Sequence, residues 1–200
     1  RLVCCRRRYC TAGAYAVTST VNALNYQGSL TGTLVVAPAD PSITFPAIGD
    51  QITTNEVGLT ATAGSGAAVS FSVASGPAVI EGGTNLSFTG AGGISVVALQ
   101  AGNGNYNAAP EVTNTLNVTK APATVALQDL RQTYDGTDRT VSATTMPAGL
   151  IVEFTYDGSA TAPTNAGSYA VTGTVNDVML QGFSASLFVV EQAAQAITFP

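Results

Sequence analysis

Two groups of residues in this chain have the chemistry to bind a metal. Cys4, Cys5 and Cys10 crowd the first ten positions, and Asp135, Asp138, Asp157 and Asp177 stand in the last third. Thiolates hold soft cations, and carboxylates hold hard ones. Cys4 and Cys5 are adjacent, without the usual two-residue spacer, and no histidine or fourth cysteine completes a tetrahedral set. The aspartates form no D-x-D-x-D-G loop, and Asp135-Gly136 and Asp157-Gly158 are turn signals first. No metal site is assigned to either group.

Catalysis fares no better. Without histidine the chain lacks the commonest general base, so its serine and threonine hydroxyls have no imidazole to activate them. Glycoside hydrolysis needs two acids across one cleft, whereas the twelve acids here are scattered through turns. Gly102-Asn-Gly104-Asn105 and Gly90-Ala-Gly92-Gly93 lack the Lys-Ser/Thr ending of a phosphate-binding loop and precede strands, not helices. Asn85-Leu-Ser87 and Asn117-Val-Thr119 match the glycosylation sequon and are read as coincidence. There are seven tyrosines and no tryptophan. Tyr15, Tyr156 and Tyr169 fall in alternating segments, so packing is preferred over a sugar-stacking platform. The expectation is a protein that is not an enzyme, with no catalytic, cofactor-binding or metal residues and no cofactor.

The elements around these residues are strands. Val57–Ala61, Val69–Val73, Leu86–Phe88, Ile94–Val96, Leu116–Val118, Leu150–Tyr156, Tyr169–Val175 and Leu187–Val190 place apolar side chains at alternate positions, the signature of a half-buried strand. Gly- and Asp-Gly-rich turns separate them, and no segment carries a sustained 3.6-residue stripe. Strands this short at intervals of about 8–12 residues predict β-sandwiches. A net charge of −5 and a pI near 4.4 argue against nucleic acid as a partner. No run of about 18 apolar residues is present to span a membrane in this segment. Arg1, Arg6, Arg7 and Arg8 are four of the seven basic residues. From residue 11 onward three bases oppose twelve acids, a balance of −9, and there are no cysteines.

Self-comparison organises the chain. Residues 11–46 align without a gap to residues 165–200, with 18 of 36 positions identical at an offset of 154. That period is too long for a solenoid repeat. It fits two small domains alternating as a unit, so the chain is read as a window cut from a longer array. Residues 1–10 share nothing with 155–164. Ser, Ala, Thr and Pro codons ending in CG become arginine codons one base out of frame. Residues 1–10 are therefore read as an atypical, frameshifted or mis-assembled end, with a genuine basic linker as the alternative. Pro-containing joins near Ala39–Ser42 and Lys120–Ala123 are expected to be short and semi-rigid.

The motifs also resemble known modules. Ile43-Thr-Phe45-Pro46, Val69-Ser-Phe71-Ser-Val73 and the stretch Gln100–Pro110 make residues 39–119 similar to a bacterial Ig-like repeat. Tyr134-Asp-Gly136, Pro147-Ala-Gly-Leu150, Tyr156–Pro163 and Asn165-Ala-Gly-Ser-Tyr169 make 120–190 resemble the mostly-beta, glycine-rich (MBG) module. Residues 11–38 resemble the C-terminal half of a preceding MBG module, and 191–200 the start of a next Ig-like one. Met179-Leu180 departs from the first copy's Asn25-Tyr26 and removes its polar turn. The resemblance implies an all-β fold of tandem small Ig-like β-sandwich modules in a linear array. It further implies a structural spacer in a secreted or cell-surface bacterial protein, presenting distal domains and touching neighbouring repeats of its own chain. The alternatives are a glycan- or surface-binding adhesin module, whose loops at one sandwich end meet the ligand, and an accessory domain of a secreted hydrolase.

Overall fold

The computed structural model describes residues 11–198. The atypical end expected at 1–10, with Cys4, Cys5 and Cys10, lies outside the described residues. Within them the protein is all-β, with eighteen strands in several sheets and no helix. The chain divides into two compact units. One holds residues up to Gly49 with 57–86 and 94–116, and the other holds 50–56, 87–93 and 117 onward.

The first unit opens with a long hairpin of β1 (Gly13–Ala23) and β2 (Tyr26–Val36), paired without interruption from Gly13↔Val36 to Ala23↔Tyr26. In chain order there follow β3 (Ile43–Thr44), β4 (Gln51–Ile52), β5 (Glu56–Gly58), β6 (Thr62–Ala63), β7 (Ser70–Ser75), β8 (Ala78–Glu81), β9 (Asn85–Phe88), β10 (Gly92–Leu99) and β11 (Val112–Thr119), of which β4 falls in the second unit. β3 pairs antiparallel with β6, and β7 pairs antiparallel with β10 through a bulge at Ser95/Val96. β9 lies between β5 and β8. The alternation read from the sequence decides which side chains are covered. Leu86, Ile94 and Val96 are wholly buried, Ile43, Phe45 and Leu59 nearly so, and the Phe45 and Phe71 rings meet at 5.3 Å.

The second unit contains β4, paired in parallel with the end of β11. Beyond these lie β12 (Ala121–Pro122), β13 (Thr124–Gln128), β14 (Arg131–Thr133), β15 (Ser142–Met146), β16 (Glu153–Tyr156), β17 (Gly167–Asn176) and β18 (Leu180–Glu191). One sheet runs β12-β18-β17-β16, with β14 also beside β18, and β13-β15 form a second, smaller sheet. Val141, Tyr156, Val171, Phe188 and Val190 form the core, with Leu127, Leu130 and Phe154 packed against them. The strand expected over 150–156 starts only at Glu153. The Leu150 amide turns onto the Thr145 hydroxyl (3.3 Å) instead of joining a ladder, and Gly149 takes φ +87° in the turn before it.

One buried polar side chain sits where three segments of this unit converge. Thr53 is 2% exposed. Its hydroxyl donates to the Met179 carbonyl and accepts from the Ala121 amide at 3.0 Å. Its own amide donates to Thr119 O at 3.0 Å. The Ala121 amide also reaches Met179 O at 2.8 Å, and the Ala123 amide reaches Gln181 O at 2.7 Å. The residue run 119–123 is therefore bonded at nearly every step. In the first unit the run around Ala39 is held in a similar way. Ala39 N donates to Asn105 O and Asn107 N to Ala39 O, both at 2.9 Å, and the Asn107 amide group donates to Asp40 at 2.7 Å.

The two related hairpins keep the same register. Gly13↔Val36 at one end of β1-β2 becomes Gly167↔Val190 in β17-β18, both shifted by 154. The tight turn survives the loss of Asn25: Asp177 Oδ1 accepts from Met179 N at 2.9 Å, and Asp177 N donates to Leu180 O at 3.0 Å. Only the covering differs. Val175 and Phe188 are 2% and 0% exposed, whereas their counterparts Val21 and Leu34 are 57% and 43% exposed. The same contrast holds for a pair of glycines. A Cβ on Gly182 would lie 2.1 Å from the Ala123 carbonyl oxygen, but one on Gly28 would meet nothing within 4 Å. We therefore expect Gly182→Ala to lower stability by about 1–3 kcal/mol, as other overpacking changes do, and Gly28→Ala to leave it unchanged or slightly raised. Urea unfolding of the two variants checks this, and equal effects would contradict the assignment of contacts.

Candidate functional site

The aspartates considered for calcium are not brought together: among the described residues no three acids, histidines or cysteines cluster. Each of three aspartates instead closes a local turn. Asp135 Oδ1 accepts from the Thr137 amide at 3.0 Å and hydroxyl at 2.7 Å, while Oδ2 pairs with Arg139 at 2.7 Å. Arg139 also donates from Nε to Thr133 O at 3.0 Å, which fastens the base of the same loop. Asp157 takes φ +48° and Gly158 φ +84°, and Tyr156 and Ser159 exchange both backbone bonds across them. That is the two-residue hairpin turn that Asp-Gly favours. Asp157 Oδ1 further accepts from Ala170 N at 2.8 Å. Asp138 is exposed in the Asp135 loop.

Three of the tyrosines, Tyr15, Tyr156 and Tyr169, make contacts within the fold. Tyr156 is buried, its ring 5.9 Å from Phe188, and its hydroxyl accepts from Val141 N at 3.1 Å. Tyr169 donates to Asn165 O at 2.9 Å, and Tyr15 donates to Thr11 O at 2.6 Å. Both reach back four residues, so each repeat anchors the start of its hairpin in the same way, like the tyrosine corner of β-sandwiches.

The second unit carries a concavity of about 820 Å³, lined by Lys120, Pro122, Glu153, Thr174, Asn176, Gln181 and Phe183 among others. Strand pairing generates the array. Glu153 stands opposite Thr174 and Thr174 opposite Phe183, a row across β16, β17 and β18, while Asn176 stands opposite Gln181 one step along. Neighbouring strands are about 4.8 Å apart, so the row spans roughly 10 Å. Phe183 is 76% exposed although it is a large hydrophobe. A second hollow of about 330 Å³ adjoins it and shares Glu153 and Asn176, adding Leu150, Ile151 and Asp177. Lys120 Nζ donates to Asn176 Oδ1. Of these residues the sequence singles out Asp177, as a candidate cation ligand, and Leu150, in Pro147-Ala-Gly-Leu150; the rest, Phe183 among them, belong to no motif. The available signal was parity. Phe183 and Phe188 are five apart on one strand and must face opposite sides, so burying one exposes the other. The first copy has Ser29 at the matching place.

Two carboxyls are held below their ordinary value near 3.8. Asp135 is lowered first by the Thr137 hydroxyl, then by the Thr137 amide, with Arg139 adding to it. Asp177 is lowered first by the Met179 amide. Each turn is thus stabilised while its aspartate is ionised, and loses that support as the pH falls through the lowered value. We expect both carboxyls to titrate below 3.8 by NMR, and Thr137→Ala to move Asp135 upward while leaving Asp177 in place. An unmoved Asp135 would contradict the Thr137 bond.

The comparisons with known proteins bear on this architecture. No curated protein sequence matches the chain. Among solved structures it is similar to Drosophila N-cadherin EC1-4, at 11% identity and a TM-score of 0.35, covering 93% of this chain and 59% of that one. It is also similar to an endo-fucoidan hydrolase of glycoside hydrolase family 107, at 12% identity and a TM-score of 0.31, covering 92% and 34%. A third is the Bacteroides ovatus SGBP-B of a mixed-linkage glucan utilization locus, in complex with a mixed-linkage heptasaccharide. It shows 20% identity and a TM-score of 0.22, covering 92% and 54%. The chain thus spans less than two thirds of each, and likenesses so distant carry no functional argument. The profile of the MBG domain matches residues 7–40 and 123–194, just over half of the chain and both hairpins that share a register. The chain belongs to the MBG domain family.

Proposed function

We propose that this chain is a non-catalytic spacer in a secreted or cell-surface repeat protein, holding distal domains at a set distance and touching neighbouring repeats. The observation that carries the reading is the hydrogen bonding of the two joins. Around Ala39 and again around Ala121, backbone groups that a loose linker would leave to water are bonded to adjacent loops and turns. A spacer needs that property, because a freely jointed chain of beads keeps its ends apart only as the square root of its length. The absence of cysteine from residue 11 onward suits a secreted chain that folds on its core without redox help, and MBG family membership supports the surface setting.

Stiffness of the joins is measurable. In 15N relaxation, the amides of Ala39, Asn107, Ala121 and Ala123 should have order parameters near 0.85, equal to those of β17 and β18. Values below about 0.6 at the joins would mark flexible tethers and overturn the spacer reading.

A further inference from the structure

We propose that the outer face of β16-β17-β18 around Phe183 binds an uncharged polysaccharide. This does not rest on the spacer role, since a stiff module either carries such a site or does not.

Phe183 is 76% exposed on a sheet whose opposite face is filled by Val171, Phe188 and Val190, so the fold gains nothing from an aromatic side chain there. A flat apolar ring lining a hollow is suited to stacking against the C–H face of a sugar ring. The groups around it are those that bind hydroxyls. Gln181 and Asn176 offer amides, Glu153 offers a carboxylate, and Thr174 offers a hydroxyl, all on the two register rows beside the phenyl. Glu153 and Gln181 have no side-chain hydrogen bond to the described residues. Lys120 engages the oxygen of Asn176, which leaves its amide nitrogen as a donor.

The two hollows meet at Glu153 and Asn176. Together they extend the surface past a single sugar, toward Ile151, which is 86% exposed. An extended chain of sugars fits that shape better than a monosaccharide.

Charge selects among polysaccharides. Glu153 and Asp177 outnumber Lys120 in the cleft, and the surrounding chain is acidic. Uronate-rich or sulfated chains would be repelled, whereas neutral ones would not. The first hairpin has Ser29 where this one has Phe183, so the site belongs to the second unit alone.

Affinity electrophoresis of the full chain through gels holding soluble xylan, laminarin, hydroxyethylcellulose or dextran tests the proposal, with alginate and heparin as anionic probes. We expect at least one neutral polymer to retard the chain, with a Kd below about 1 mM by calorimetry. Phe183→Ala should weaken that retardation at least tenfold and Phe183→Tyr should keep it, with circular dichroism melts unchanged because the side chain lies outside the core. No retardation by any neutral polymer would overturn the proposal, as would stronger binding to the anionic probes or full binding by Phe183→Ala. None of these outcomes bears on the order parameters of the joins.

Discussion

The second unit depends on a hydroxyl that has been taken out of water. Thr53 lies in the short stretch 50–56, which folds with residues 117 onward although some sixty residues separate them in sequence. Its Oγ bonds Ala121 N and Met179 O, and its amide bonds Thr119 O. A buried hydroxyl with no partner costs about 1–3 kcal/mol, so this one is settled only when all three segments are in place. It fixes the entry to β12. β12 in turn lies along β18, and Ala123 then stands so close to Gly182 that no side chain could fit.

From that edge the rest of the unit follows. Once β12 and β13 are laid on the β17-β18 hairpin, Leu127 approaches Gly173, and Tyr156 and Phe188 meet in the core. The same pairing pushes Phe183, Thr174 and Glu153 to the outer face, so the candidate site is the other side of the core. The β1-β2 hairpin makes the logic visible. It has the same register and the same tyrosine anchor, but Val21 and Leu34 lie open. Sequence sets the hairpin, and only packing against other strands turns its alternation into a core.

Much of this was legible beforehand. Alternation located β7, β9, β10, β17 and β18, because large apolar residues such as Phe71, Leu86, Ile94, Val171 and Phe188 recur on the inward face of each, with glycine, alanine or serine filling some of the remaining inward places. The Asp-Gly turn at 157–158 followed from its need for positive φ, and the repeat offset carried over to register without error. Ser142–Met146 escaped because its side chains are small or polar, and its strand character comes from pairing with β13. Thr53 escaped for a different reason. Nothing local distinguishes it from the neighbouring Thr54, and its role is set by segments far along the chain. The hollow at Phe183 was invisible for lack of a motif, although strand parity implied an exposed ring.

The most direct test of the central claim is hydrogen exchange at the Ala121 amide. This amide donates to both Met179 O and Thr53 Oγ, so it should open only when the unit unfolds. Its protection should match that of Val171, at the middle of the core sheet. Exchange at the rate of an exposed loop amide would show that the join opens on its own, and would contradict the account of a locked junction.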